Sequence, residues 1–157
     1  MLYSDHPKIF DCHFANLCAV ATWGDGILSQ HEYDYLVSKV TTWWGNTNKY
    51  DHEYTLRSYF AETLKTILHS KSKLEGPDLK DKKILISIIM HNAENIKTLL
   101  TEELSDKDQR QEILSSFYRD YVELSFADGK LSKDERNVIN KVRKYFTIKS
   151  KNPLKRD

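Results

Sequence analysis

Residues 25–32 read DGILSQHE, and residues 128–135 read DGKLSKDE. The two phrases share Asp, Gly, Leu, Ser and Glu at equivalent positions, and each lies between two stretches whose apolar residues recur at helical spacing. In each phrase the glycine supplies the positive φ that lets one helix end, and the Ser-x-x-Glu pattern is typical of the capping box that begins another. The sequence therefore predicts the same helix–turn–helix unit near both ends of the chain.

Helical periodicity continues over most of the remaining chain. It predicts helices over about residues 9–22, 29–44, 56–68, 82–100, 105–127 and 132–146. The fourth segment, KKILISIIMHNAENIKTLL, is rich in β-branched residues, but no other segment alternates in the way a partner strand would. We therefore expect either one long helix there or two helices joined near His91 and Asn92. Ser105 and Asp108 have the residue types that begin a helix, and predict the start of the fifth one.

These elements predict an all-α fold. We expect duplicated helix–DG turn–helix units in a bundle of about six to seven helices, with the middle helices linking the two units. A chain of 157 residues is long enough to bury a core without disulfides. We therefore expect a single domain over residues 1–157, with its core in about 9–147 and a polar tail at 148–157.

The localisation and the broad partner classes follow from charge and hydropathy. The first ten residues do not have the pattern of a signal peptide, and no apolar run is long enough to span a bilayer, so we expect a cytoplasmic protein without a transmembrane segment. A net charge of +1 gives no general attraction to nucleic acid. Residues 136–157 carry eight Lys or Arg against one acid. That segment suits peripheral contact with an anionic membrane, although cations near a helix C-terminus are also stabilised by the helix dipole.

The repeated phrase has a structural interpretation and a functional one. As a capping box, its Ser and Glu satisfy free amides at a helix start, and each cap contributes about 1 kcal/mol. Its order of Asp, Gly and Glu is also the second half of an EF-hand loop. The first and third ligand positions of such loops fall on the four residues Ala21, Trp23, Leu124 and Phe126. None of these side chains binds a hard cation, which excludes an ordinary EF-hand.

A metal site that is not an EF-hand remains a functional interpretation of the repeated phrase. If the two units pack against each other, four carboxylates come together, those of Asp25, Glu32, Asp128 and Glu135. Such a set suits an oxygen-preferring divalent cation, Ca²⁺ or Mg²⁺. Spacing alone does not separate this shared metal site from two structural caps, and both interpretations remain open.

Other sites of known chemistry find little support. Cys12 and Cys18, with His13 between them, lack the close Cys pairs of structural zinc sites, and we expect them to pack in the core or at the surface. At six residues apart on a helix, the two cysteines face different directions, so we expect no disulfide between them. There is no His-Glu-x-x-His, Gly-x-Ser-x-Gly or phosphate-binding glycine loop. An enzyme built from dispersed residues remains an alternative.

The segments ATWGDGILSQHE (21–32) and SFADGKLSKDE (125–135), each between two helical stretches, are similar to the repeated motif of the TerB family. Ala127-Asp128-Gly129 matches the hallmark turn of that family, whereas Gly24 replaces its alanine in the first copy. The resemblance covers about residues 9–147. It implies a non-enzymatic module of bacterial stress response and tellurite resistance, which acts through protein partners in a larger complex. It also implies that the acidic residues of the two motifs, the same four carboxylates, bind a divalent metal. The alternative is a protein-interaction scaffold whose DG turns are purely structural.

Overall fold

The computed structural model describes residues 5–21, 30–44, 82–127 and 133–148. These segments form five helices, α1 Pro7–Ala21, α2 Gln30–Trp44, α3 Lys82–Glu103, α4 Lys107–Ser125 and α5 Lys133–Tyr145. No strand occurs in the described part of the chain, so the predicted all-α class is confirmed there. None of the described helices is long and apolar enough to cross a membrane.

Several predicted features lie outside the described residues. They are the helix over 56–68, both DG turns with their capping serines, and the polar tail from residue 149 onward. A bundle of six to seven helices, built from two duplicated units, therefore remains a prediction.

The boundaries of α3 and α4 refine the sequence analysis. α3 is one continuous helix through His91 and Asn92, which decides between the two predicted alternatives. The predicted start of α4 at Ser105 is wrong by one residue, because Asp106 is the N-cap. An Asp106 Oδ1 atom accepts hydrogen bonds from the backbone N–H groups of Asp108 at 2.9 Å and Gln109 at 3.4 Å. A carboxylate makes these bonds with a full negative charge at the positive end of the helix, which favours it over a hydroxyl.

Helix α1 is the centre of the described bundle. Ten of its fifteen residues are buried, which is more than the single apolar stripe of a surface helix. It packs along α3 and also against α4, while α5 packs against α3 and α4. Helix α2 contributes Leu36, Val40 and Trp43 to the same core. The Trp43 ring lies 5.1 Å from the ring of Phe10 on α1, measured between centroids.

Candidate functional site

The polar centre of the molecule is built around His13, a fully buried residue in the middle of α1. Its ring stacks on the ring of Phe117 from α4, at 3.7 Å between centroids and 8° between planes. Its Nδ1 atom lies 2.8 Å from the hydroxyl of Tyr121, and its Nε2 atom lies 2.8 Å from Oδ2 of Asp120. Both ring nitrogens are thus hydrogen-bonded to α4, and the imidazole joins two core helices.

The hydrogen-bond partners of His13 favour one protonation state of its ring. The Tyr121 hydroxyl lies 3.4 Å from Nδ2 of Asn16, which can only donate. The one proton of that hydroxyl is therefore left for Nδ1 of His13, so Nε2 carries the imidazole proton and donates it to Asp120. A doubly protonated His13 would leave the Tyr121 proton without an acceptor. Burial also lowers the pKa of His13 and outweighs the opposing effect of Asp120, so both arguments indicate a neutral ring.

Asp120 is the charged member of this cluster. Its side chain is 5% exposed, and its Oδ1 atom lies 2.9 Å from Nζ of Lys39 on α2. Burial alone would raise the pKa of Asp120, but the hydrogen bonds from His13 and Lys39 and the positive charge of Lys39 lower it below the usual value. Asp120 is therefore ionised, and Lys39 neutralises a carboxylate that the core would otherwise exclude.

Tyr35 completes the link between α2 and α4. Its hydroxyl donates to Oε2 of Glu123 at 2.9 Å and lies 3.4 Å from Oδ1 of Asp120. Burial and the two adjacent carboxylates raise the pKa of Tyr35 well above its ordinary value, so the hydroxyl keeps its proton as a donor. We call the four residues Tyr35, Lys39, Asp120 and Glu123 the α2–α4 clamp.

Asn16 extends the polar centre to α3. Its Nδ2 atom donates to the backbone oxygen of Ile89 at 3.1 Å, and its Oδ1 atom accepts from Nδ2 of Asn92 at 3.1 Å. Asn16 is itself fully buried. Through Asn16 and His13, α1 is fixed to α3 on one side and to α4 on the other.

A cleft of about 550 Å³ lies between α2 and α4, beside the clamp. Three largely buried aromatic residues line it, Phe10, Trp43 and Phe117. The polar residues that line it include Lys39 and Asp120 of the clamp, two further charged side chains and several hydroxyl and amide groups. The three rings are 2–7% exposed, so little of their surface faces the cleft.

The structure places two of the four sequence-predicted carboxylates. Glu32 lies in the first turn of α2 and is 8% exposed. Glu135 lies in the first turn of α5 and is half-buried. Asp25 and Asp128 lie outside the described residues. Within the described segments, no three His, Cys, Asp or Glu side chains are grouped as metal ligands.

Sequence reasoning missed the clamp and the role of His13. It treated His13 only as a poor zinc candidate and did not single out Asp120, Lys39 or Tyr35. One signal was present: Asp120 stands among the apolar residues of α4, and His13 and Asn16 stand among those of α1. A polar residue within a buried stripe requires a buried partner, but the sequence does not say which helix supplies it.

The two cysteines are free thiols in the structure. Cys12 is half-buried and Cys18 is fully buried. Burial raises the pKa of both thiols, which makes them poor nucleophiles. Cys18 belongs to the hydrophobic core, and Cys12 packs against it.

No protein-family model, curated protein or solved structure shows a significant match to this chain. Its relationship to the TerB family therefore remains a prediction from the two motifs.

Proposed function

We propose that this chain is a non-enzymatic helical module of the TerB type, acting through protein partners in bacterial stress response. In this proposal it binds a divalent cation, Ca²⁺ or Mg²⁺, through the carboxylates of Asp25, Glu32, Asp128 and Glu135. The stress-response role and the protein partners rest on the family resemblance. The metal site rests on the repeated phrase and on the position of its two described glutamates.

The observation that carries the metal site is the direction of these glutamates. Glu32 stands four residues before Leu36 and eight before Val40, on the buried stripe of α2. Glu135 stands three residues before Val138 and four before Ile139, on the buried stripe of α5. Residues three or four apart share a helix face, so both glutamates face the interior at the first turn of their helices.

An inward-facing carboxylate needs a positive charge or several hydrogen-bond donors. In a capping box the glutamate accepts a hydrogen bond from one backbone amide. A divalent cation instead supplies a full positive charge and attracts a second carboxylate as well. The same inward glutamate in both copies of the phrase fits either partner, and the family resemblance is what favours the cation. A divalent ion held this way would join the first turns of α2 and α5 and stabilise the module for partner binding.

The test is thermal unfolding of the chain in EDTA and then with millimolar Ca²⁺, Mg²⁺, Mn²⁺ or Zn²⁺. A cation that binds only the native state, at 100 times its Kd, adds about 2.7 kcal/mol of stability. For a chain of this length that corresponds to a rise in Tm of roughly 5–10 °C. We expect Ca²⁺ or Mg²⁺ to produce it, because the proposed ligands are all oxygens.

Two double variants decide which residues hold the ion. Asp25→Asn/Asp128→Asn and Glu32→Gln/Glu135→Gln should each abolish the rise, while the exposed pair Glu94→Gln/Glu102→Gln should leave it unchanged. A rise that survives in both test variants would place the ion elsewhere. If no cation moves the wild-type Tm, the metal site is contradicted, and the DG phrases are structural turns in an interaction scaffold.

A further inference from the structure

Helix α5 lies on the outside of the described bundle. It packs against α3 and α4, and Lys97 on α3 donates to the backbone oxygen of Tyr145 at 3.0 Å. Asn92, which contacts Asn16 of α1, stands five residues before Lys97. Five helical residues correspond to a rotation of about 140°, so α1 and α5 contact different sides of α3. These two helices cover one side of α5, and its other side is exposed.

The outward side of α5 carries cations and amides. Residues at helical spacing form a ridge of about 17 Å along it, made of Lys133, Asn137, Asn140 and Lys144. Arg143 flanks the ridge beside Tyr118 of α4, where burial raises the pKa of Tyr118 and the charge of Arg143 opposes that rise. Arg136 lies two turns earlier on the same flank, and Lys141 lies on the opposite flank. We call the ridge and its flanking cations the α5 basic face.

The exposed cations of the α5 basic face are not neutralised by the fold. Five exposed side chains of this face make no hydrogen bond or ion pair with the described part of the chain: Lys133, Arg136, Asn137, Lys141 and Lys144. The exposed surface of α4 differs, because Glu112, Arg119 and Glu123 alternate in sign there. The face of α5 therefore presents a single sign of charge to solvent.

Helix stability does not account for this set of cations. Arg143 and Lys144 lie in the last turn of α5, where the helix dipole favours positive charge. Lys133 and Arg136 lie in the first turn, where the same dipole disfavours them. Like charges three or four residues apart on a helix also repel each other. The negative charge that suits the cations of the first turn therefore comes from outside the chain.

Double-stranded DNA has the shape and charge to fit the α5 basic face. Its major groove is about 12 Å wide and admits one α-helix, with phosphates along both walls. The cations on the two flanks of α5 match the two walls. Asn137 lies between them, and its exposed amide can donate to base edges and accept from them.

Two other polyanions fit α5 less well. The major groove of double-stranded RNA is deep and too narrow for side chains to read. A helix that binds a membrane inserts its apolar residues into the lipid. The apolar residues of α5 are instead buried in the protein core, as shown by Val138, Ile139 and Val142. A membrane surface would contact only the polar side of α5, without the apolar insertion that holds such helices.

We propose that α5 binds double-stranded DNA in the major groove, with its cations on the phosphates of both walls and Asn137 on the base edges. The chain carries 24 Lys or Arg against 23 Asp or Glu, so its total charge does not attract DNA. The fold nevertheless gathers unpaired cations on one helix face. Glu135 lies on the inward side of α5, so DNA binding stands independently of the proposed metal site.

The experiment is fluorescence anisotropy of a labelled DNA duplex of about two helical turns, titrated with the full chain. We expect a Kd of about 1–10 μM at 50 mM salt. Release of counterions from about four phosphates should lower the affinity about 100-fold at 200 mM salt. A duplex RNA of the same sequence should bind at least about fivefold more weakly. Methyl green, which occupies the major groove, should displace the chain, whereas netropsin, which occupies the minor groove, should not.

Substitutions of exposed residues show whether α5 holds the DNA. Arg136→Gln and Lys144→Gln should each weaken binding about fivefold at 50 mM salt and reduce the salt slope by about 1. The matched control Lys8→Gln removes an exposed cation from α1 and should leave binding within about twofold of the wild type. Asn137→Ala should change which duplexes are enriched from a random pool, because it removes a base contact without removing a charge.

Several results would overturn the proposal. One is no change in anisotropy with 100 μM chain at 50 mM salt, and another is equal binding by the wild type and both cation variants at equal Tm. Displacement by netropsin but not by methyl green would exclude the major groove. Tighter binding to duplex RNA would exclude the assigned polyanion. Tighter binding to phosphatidylglycerol vesicles than to DNA, at equal phosphate concentration, would show that the α5 basic face selects a membrane surface.

Discussion

At the scale of single residues, His13 shows how the core determines a protonation state. Its two nitrogens face a hydroxyl that can donate and a carboxylate that must accept, and the neutral ring satisfies both. The same pair of bonds holds the ring flat against Phe117. The imidazole is therefore a rigid part of the core, and its lowered pKa follows from that role.

This role predicts a specific pH dependence of stability. The unfolded chain binds a proton at His13 below about pH 6.5, whereas the folded chain does so only at lower pH because the pKa of the buried ring is lowered. The folded state therefore loses stability as the pH falls below about 6.5, by up to about 1.4 kcal/mol per pH unit from this one group. Asp120, whose folded pKa is also lowered, adds a further loss only below its unfolded value of about 4.

Urea unfolding between pH 4.5 and 8 measures this effect. His13→Gln preserves one donor and one acceptor without a titrating ring, so its stability should change less between pH 6.5 and 4.5 than that of the wild type. His91 is exposed on α3, and His91→Gln should retain the wild-type slope. Identical slopes in wild type and His13→Gln would mean that folding does not lower the pKa of the ring, against the hydrogen-bond argument.

At the scale of elements, the start of α4 depends on one side chain. Asp106 accepts hydrogen bonds from two of the first free amides of the helix, and the positive end of the helix dipole stabilises its negative charge. Ser105, the residue that the sequence pattern suggests, precedes the cap and is exposed. The difference matters because α4 carries both Asp120 and Tyr121, so its first turn helps to set the register of the polar centre.

We expect Asp106→Ala to lower the free energy of unfolding by about 1 kcal/mol. Ser105→Ala should change it by less than about 0.5 kcal/mol, as is usual for surface substitutions. Asp106→Asn keeps the accepting oxygen and should lie between these two values. Denaturant unfolding measures all three variants, and a larger loss for Ser105→Ala than for Asp106→Ala would contradict the assigned cap.

At the scale of the whole molecule, the clamp joins the N-terminal and C-terminal parts of the chain. Lys39 and Asp120 are separated by 81 positions and meet at 2.9 Å. Their ion pair is the point where α2, the buried imidazole of α1 and the middle of α4 are connected. The cleft between α2 and α4 borders the same pair, so the packing of these two helices also shapes the cleft.

Lys39→Met should therefore destabilise the chain by about 2 kcal/mol. Removal of one partner of a buried ion pair costs about 3–5 kcal/mol, and the partial exposure of Lys39 reduces this value. The exposed residue Lys141 on α5 supplies the control Lys141→Met, which should cost less than about 0.5 kcal/mol. In Lys39→Met/Asp120→Asn the buried charge is absent, so the double variant should lose less stability than the sum of its single variants. Additive losses in denaturant unfolding would mean that the two charges do not interact.

The sequence by itself determined the all-α class of the described segments and placed their helix boundaries to within three residues. This is possible because helical periodicity and the residue preferences of helix ends are local properties that each segment carries on its own. On α5, Val138, Ile139 and Val142 recur at helical spacing, and all three are buried.

Only the tertiary structure decided the partners of the buried polar residues. His13 meets Asp120 across 107 positions, and Asn16 meets the backbone of Ile89 across 73. Such pairs depend on the relative rotation and register of packed helices, which no local pattern encodes. The same contrast between local pattern and tertiary contact applies to the four carboxylates of the repeated phrase. The sequence shows that they recur at equivalent positions. Their convergence on one ion depends on how α2 and α5 are oriented. Helical periodicity determines which residues share a face of the helix, but it does not determine which element packs against that face.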